Sequence, residues 1–278
     1  MEAEIFWTRF WAASAFAFGL VLGSFANVLA YRLPRRISVV LPGSFCTECG
    51  RKVRPYDNVP ILAFLWLGGK CRDCLAPISW RHPLVELTSG IVTAGIVARF
   101  GPTFEAVVFV MMALFLLVLF LTDLDFHILP DGLTVGGMLG GFAAAGASGL
   151  GLVARTRGAT TFPESALGAT AGAFFLLLVM SLYRFVRARE GMGVGDVKLL
   201  AMIGAFLGFE LTIATLLIAV LLGSVGGLLL IALRGGDLGT ALPFGTYLAV
   251  ATIVVLFFYE GRWAFLSSQG ISSALLAR

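Results

Sequence analysis

Long uncharged apolar runs are the feature that most constrains this chain of 278 residues. A helix needs about 20 mostly apolar residues to cross a bilayer. Two shorter runs, Leu87–Ala98 and Leu199–Phe209, are weaker candidates. The stronger ones carry no charge: Phe10–Tyr31, Ala106–Thr122, Gly132–Ala154, Ser165–Leu182, Leu211–Leu233 and Leu238–Tyr259. Backbone groups in lipid must be satisfied within helices or closed barrels. The sequence therefore predicts an all-α, polytopic membrane protein of about eight transmembrane helices.

The positive charge predicts how these helices are oriented, not a nucleic-acid partner. Only 13% of the residues are charged, against about 25% in a soluble domain. Nine of the 20 Lys and Arg lie in residues 32–81, and four more lie in 184–198. Lys and Arg accumulate in cytoplasmic loops. We therefore expect the loop of residues 32–83 to lie in the cytoplasm and both termini to lie on the other side of the membrane. Arg155 and Arg157 are exceptions to this charge rule.

The long polar loop divides the chain into three predicted parts. Residues 1–31 are the first transmembrane helix, which is too long and lacks the basic start needed for a cleaved signal peptide. Residues 32–83 form a cytoplasmic loop domain. Residues 84–278 form a membrane domain with the remaining seven helices.

All four cysteines lie in this loop, as Cys46-Thr-Glu-Cys49 and Cys71-Arg-Asp-Cys74. Two CxxC pairs at this separation are typical of a structural zinc site. Four thiolates would leave no open position for a substrate. Two disulfides or two redox pairs are the alternative, which a cytoplasmic location disfavours. A metal would help a segment too small to build its own core.

Acidic residues at the ends of two apolar runs are the candidate catalytic groups. Asp196 follows Gly193 and Gly195, which allow a close backbone approach, and it precedes Lys198. Asp123 and Asp125 stand two residues apart, so a helix points them in nearly opposite directions and only one is expected to reach a shared site. Two neighbouring carboxyls can share a proton and act as base and acid on a peptide bond. Asp131 fits the start of a helix better.

These motifs, in this order, resemble those of the bacterial type IV prepilin peptidases. The resemblance runs nearly end to end and includes the two CxxC pairs. The Gly193-Val-Gly-Asp196 stretch is similar to the GxGD motif of intramembrane aspartyl proteases. The other matching segments are Gly23–Asn27, Tyr31–Pro34, Ser79–Leu87, Asp123–Asp131 and Pro243–Gly245. The family usually continues the last of these with proline, where this chain has Thr246.

The resemblance implies a function and its residues. Asp123 and Asp196 would be the catalytic pair, with Asp125, Lys198, Gly193 and Gly195 in support. The enzyme would cut the short basic leader from prepilins and pseudopilins after a glycine, at the cytoplasmic face of the bacterial inner membrane. It would then methylate the new N-terminal residue with S-adenosyl-L-methionine.

The site of this methyl donor is not evident from the sequence. The family associates methyl transfer with the N-terminal half of the chain and its cytoplasmic loop. Gly23 and Asn27 are weak candidates, because small residues at the spacing of Gly19 and Gly23 more often pack helices together.

Two other functions stay open at this point. One is an intramembrane aspartyl protease with different substrates. The other is a polytopic transporter with a zinc-bound regulatory loop, although the acids sit at one edge of the apolar runs and no internal repeat is visible. The sequence gives no oligomeric state.

Overall fold

A computed structural model describes residues 2–150, 161–187, 193–234 and 243–258. Within these ranges the chain is helical, without strands, and carries only two isolated β-bridges. The helices are α1 (Glu2–Arg32), α2 (Leu62–Trp66), α3 (Arg81–Phe100), α4 (Phe104–Phe126), α5 (Asp131–Gly149), α6 (Phe162–Arg187), α7 (Val194–Arg234) and α8 (Phe244–Phe258). The predicted all-α class is confirmed.

The long helices lie where the apolar runs predicted them. Gly208 interrupts α7 with a non-helical conformation (φ 75°, ψ 178°), at the boundary between two predicted spans. The predicted spans Gly132–Ala154 and Leu238–Tyr259 extend beyond the described residues. Five helices in the described part of the chain are long and apolar enough to cross a membrane. The chain is therefore a multi-pass membrane protein, but the number of eight spans is not established.

The centre of the bundle is formed by α4 and the first half of α7. In α7, Leu199, Leu200, Met202 and Ile203 are fully buried. Helices α5, α6 and α8 all pack against α7, while α4 contacts α1, α3, α5 and α8. In contrast, the second half of α7 exposes large apolar side chains such as Leu221 and Leu228, as suits a helix that faces lipid. The predicted catalytic pair lies at the ends of these two central helices, with Asp123 in the last turn of α4 and Asp196 in the first turn of α7.

Glycines bring several helices into backbone contact. A Cβ atom on Gly204 of α7 would overlap the backbone of Gly168 in α6. On the other side of the bundle, a Cβ on Gly19 would lie 2.8 Å from the Cα of Gly90, and one on Gly23 would lie 2.6 Å from the Cα of Glu86. Small residues allow this approach, which is the usual way membrane helices associate.

The contact between α6 and α7 gives the first prediction. Gly204→Ala forces a methyl group into the Gly168 backbone, so we expect a loss of about 1–3 kcal/mol and a lower Tm in detergent. Gly136→Ala in α5 is the matched control, because nothing lies within 4 Å of its added Cβ. An equal Tm for the two variants would contradict the packing described for Gly204.

Candidate active site

Asp123 lies in the last turn of α4 and points at the start of α8. Its side chain is buried, with 5% of the residue exposed. Its Oδ2 accepts a hydrogen bond from the backbone N–H of Thr246 at 2.8 Å. The backbone N–H of Gly245 also lies near the carboxylate. Free N–H groups and the positive end of the helix dipole both favour negative charge at this position.

Asp196 lies in the first turn of α7 and is equally inaccessible, with 8% of the residue exposed. The backbone N–H groups of Gly193 and Gly245 lie near its carboxylate. Gly245 therefore lies beside both acids. The two carboxylates are also close enough to interact electrostatically. The structure thus brings together the two aspartates that the sequence selected.

Leu129, Gly195 and Gly245 pack closely around Asp123 and Asp196. A Cβ on Gly195 would lie 3.1 Å from the Cβ of Leu129, and one on Gly245 would lie 2.9 Å from Oδ2 of Asp123. A side chain at Gly245 would therefore displace the carboxylate. By contrast, a Cβ on Gly193 would lie 3.9 Å from Oδ2 of Asp196, an ordinary contact.

The other acids pair with cations outside the site. Asp125 accepts from Arg81 at 2.7 Å, which ties the end of α4 to the start of α3. Lys198 donates to Asp131 at 2.7 Å, which ties α7 to the start of α5. These pairs are partly exposed and contribute little stability each. They fix the ends of the helices that carry Asp123 and Asp196.

The four cysteines converge as predicted. The Sγ atoms of Cys46, Cys49, Cys71 and Cys74 all lie within 4.8 Å of one another, and those of Cys46 and Cys74 are 3.9 Å apart. Four sulfurs at about 2.3 Å from a tetrahedral ion stand roughly 3.8 Å apart. The cluster therefore has the size and the donor set of a metal site.

Two similar turns produce this cluster. Gly50 follows the first pair with φ 70°, and Leu75 follows the second with φ 60°. The N–H of Gly50 donates to the carbonyl of Cys46, and the N–H of Leu75 donates to the carbonyl of Cys71. Backbone N–H groups of Cys74 and Asp73 lower the pKa of the Cys71 thiol to about 7. This favours the metal-binding thiolate form of Cys71, whereas burial and the other three sulfurs raise the pKa of the Cys74 thiol to about 12.

Gly23 and Asn27 lie on the face of α1 that packs on α3. Gly23 is a packing residue there, as its contact with the α3 backbone shows. Asn27 donates from Nδ2 to the carbonyl of His82 at 3.2 Å and also lines a large cavity. Glu86 does not pair with Arg81, one turn away, but accepts from the N–H of Ile61 in the cysteine loop.

Sequence reasoning did not place Gly245 and Thr246 in the site. The available signal was the Pro243-Phe-Gly245 segment, which lies within the predicted span Leu238–Tyr259 and at the start of α8. Its contact with Asp123 depends on how α8 packs on α4, which no local pattern reports.

Together, the fold and site define a polytopic helical membrane protein with a pair of buried carboxylates and a four-cysteine centre. Sequence comparison then gives the family. Residues 17–100 match the bacterial peptidase A24 N-terminal domain, and residues 110–228 match the type IV leader peptidase family. The chain belongs to the type IV leader peptidase family.

Its relatives carry both activities in their name, prepilin leader peptidase/N-methyltransferase. The protein from Pseudomonas aeruginosa is 36% identical over 262 residues, covering 86% of this chain and 87% of the relative. The one from Pseudomonas putida is 36% identical, covering 84% and 85%. The one from Aeromonas hydrophila is 32% identical, covering 89% and 91%. No solved structure matches this chain.

The cysteine cluster gives the second prediction. Replacing all four cysteines with serine removes the thiolates, so we expect the purified protein to lose a metal ion bound one per chain, measured by elemental analysis. Cys46→Ser alone should lower metal content and loop stability, seen as faster proteolysis within residues 32–83. Thr47→Ser, between the two ligands, is the control. Unchanged metal content in the four-serine protein would refute this assignment.

Proposed function

We propose that this chain is a membrane aspartic endopeptidase that removes the short basic leader from prepilins and pseudopilins. It then methylates the new N-terminal residue. The observation that carries the peptidase assignment is the meeting of Asp123 and Asp196 beside the N–H of Gly245. The printed names of the relatives support both activities.

The two carboxylates have different surroundings, which supports different roles. Asp123 accepts a 2.8 Å hydrogen bond from the N–H of Thr246 at the positive end of α8, and among the described residues no backbone hydrogen bond of this length reaches Asp196. We therefore assign it the ionised state and the role of base, which takes a proton from the attacking water. Asp196 carries the shared proton and donates it to the carbonyl oxygen or the leaving amine.

The position of the site suits a substrate held in the membrane. Both aspartates lie at the ends of apolar helices, on the side we assign to the cytoplasm from the Lys and Arg distribution. A prepilin places its basic leader in water and its apolar segment in lipid. Lateral diffusion would then bring the junction to the carboxylates already oriented. We place the enzyme in the bacterial inner membrane, with its N-terminus outside.

Two further groups belong to this proposal. We assign zinc to the four cysteines, because an S₄ donor set of this size favours zinc among the common structural metals. With all four positions taken by sulfur, the ion would stabilise the loop and take no part in cleavage. S-adenosyl-L-methionine is the methyl donor we propose. The division at residue 83 between this loop and a peptidase domain stays a prediction.

The catalytic pair gives the third prediction. Asp123→Asn and Asp196→Asn should each slow leader removal by about 10²- to 10⁴-fold, measured on a purified prepilin in detergent, with unchanged accumulation in the membrane. Asp125→Asn loses only a partly exposed pair with Arg81 and should cost less than about tenfold. Wild-type rates in either Asp123→Asn or Asp196→Asn would disprove the assignment.

The backbone donor at Thr246 gives the fourth prediction. Thr246→Pro removes the N–H that binds Asp123, at a position in the first turn of α8 where proline is tolerated. A hydrogen bond to a charged group contributes roughly 1.5–3 kcal/mol, but the family usually has proline at this position, so we expect leader removal to slow by no more than about tenfold. Thr246→Ala keeps the N–H and is the control. Equal rates for the two variants would show that this donor does not affect catalysis.

A further inference from the structure

An apolar segment lies inside the otherwise polar cysteine loop. Residues 59–67 read Val-Pro-Ile-Leu-Ala-Phe-Leu-Trp-Leu, nine consecutive residues without a charge. The segment is too short to cross a bilayer, which takes about 20 residues. Short apolar segments of this kind either pack into the core of a domain or lie in a membrane interface. The exposure of the side chains distinguishes these two cases.

The structure leaves most of this segment uncovered. Of its nine residues only Ala63 is buried. Leu62, Leu65 and Trp66, which are three of the five residues of α2, are each more than half exposed. A patch of neighbouring exposed apolar side chains marks a surface that binds a protein or a membrane. The position of α2 in the fold indicates which of the two it is.

Helix α2 lies beside the end of α3 that enters the membrane. The 20 residues of α3 extend over about 30 Å, which is the thickness of the hydrocarbon core. The first turns of α3 therefore lie at the membrane boundary. The ring of Phe64 in α2 is 4.5 Å from the ring of Trp80, directly before α3. The N–H of Ile61 donates to Glu86, in the second turn of α3, at 2.7 Å. Both contacts hold α2 at this boundary.

The exposed face of α2 is continuous with the lipid-facing surface of α3. Leu84, Leu87 and Ile91 are exposed on α3, and their spacing of three and four residues places them on one face of the helix. Trp80, four residues before Leu84, extends this face and is also exposed. Since α3 is long and apolar enough to cross a membrane, this face contacts lipid. The contact of Phe64 with Trp80 joins α2 to it.

Trp66 has the surroundings of a tryptophan at a membrane interface. Its indole N–H lies near the carboxylate of Asp57, which belongs to the polar part of the loop and binds Arg72 at 2.8 and 2.6 Å. The rest of the indole ring is uncovered by protein. A tryptophan with a polar partner for its N–H and an apolar ring free for lipid is typical of the aromatic belt of membrane proteins.

We propose that α2 lies in the lipid interface, on the side of the membrane that carries the cysteine loop, and that Leu62, Leu65 and Trp66 insert between the acyl chains next to the headgroups. The bilayer is the partner of this surface, because the surface continues one that lipid already covers. The cysteine loop is then attached to the membrane by α2 as well as by the two helices that flank it, α1 and α3. It lies along the membrane surface and does not extend freely into water.

The test measures how closely Trp66 approaches lipid. The full-length protein keeps Trp66 as its sole tryptophan, with the other four replaced by phenylalanine, in vesicles of phosphatidylcholine and phosphatidylglycerol. Bromine on the acyl chains near the headgroup should quench the fluorescence of Trp66 by about half or more, and more strongly than bromine near the chain ends. The control has its sole tryptophan at Glu48→Trp, an exposed position in the first CxxC turn. It should lose less than about a tenth.

A second variant tests the residues of the surface. Leu62→Gln together with Leu65→Gln should reduce the quenching of Trp66 by about twofold or more, because the apolar contact with the acyl chains is lost. Both side chains are exposed, so the fold does not require them. Equal quenching of Trp66 and the tryptophan at position 48, or unchanged quenching in the double variant, overturns the inference.

Iodide in the water phase separates lipid from a protein partner. If neither brominated lipid nor iodide quenches Trp66, protein covers α2, and the inference is again overturned. Strong quenching by bromine near the headgroup with weak quenching by iodide is the expected result. The vesicles contain no prepilin and no methyl donor, so every outcome is independent of the two proposed activities.

Discussion

The contact between the carboxylate of Asp123 and the first turn of α8, made in this chain by the N–H of Thr246, is the interaction on which the candidate active site depends. It places the first turn of α8 against the last turn of α4 and positions the N–H of Gly245 beside both carboxylates. Both carboxylates are largely shielded from solvent, so backbone donors and the helix dipole must supply the stabilisation that water gives elsewhere. Without α8 in this place, the two buried acids would face each other without the hydrogen bond from Thr246.

Glycine packing makes that arrangement possible. Contact between Gly168 and Gly204 sets the distance between α6 and the buried first half of α7, which carries Asp196. Gly245 leaves room for the carboxylate of Asp123. The ion pair of Lys198 with Asp131 then fixes the end of α7 against α5. Small residues therefore determine where the acidic ones meet, although only the acidic ones have reactive groups.

Much of this could be predicted from the sequence, because the relevant signals are local. Apolar runs located the helices, the spacing of Asp123 and Asp125 showed that only one could face the site, and the CxxC pairs predicted the cysteine cluster. The contacts between distant elements could not be predicted. Nothing near Thr246 indicates that its N–H meets Asp123, and nothing in the sequence indicates that Arg81 pairs with Asp125 or that Glu86 accepts from the N–H of Ile61. Such contacts depend on helix packing.

The last turn of α4 contacts both the candidate active site and the helix that adjoins the cysteine loop. Asp123 faces α8, while Asp125, two residues later, binds the start of α3, the helix that carries Glu86. The last turn of α4 therefore fixes two neighbours at once. One carboxylate meets α8 at the candidate active site, and the other holds the start of α3, whose Glu86 in turn binds the cysteine loop through the N–H of Ile61.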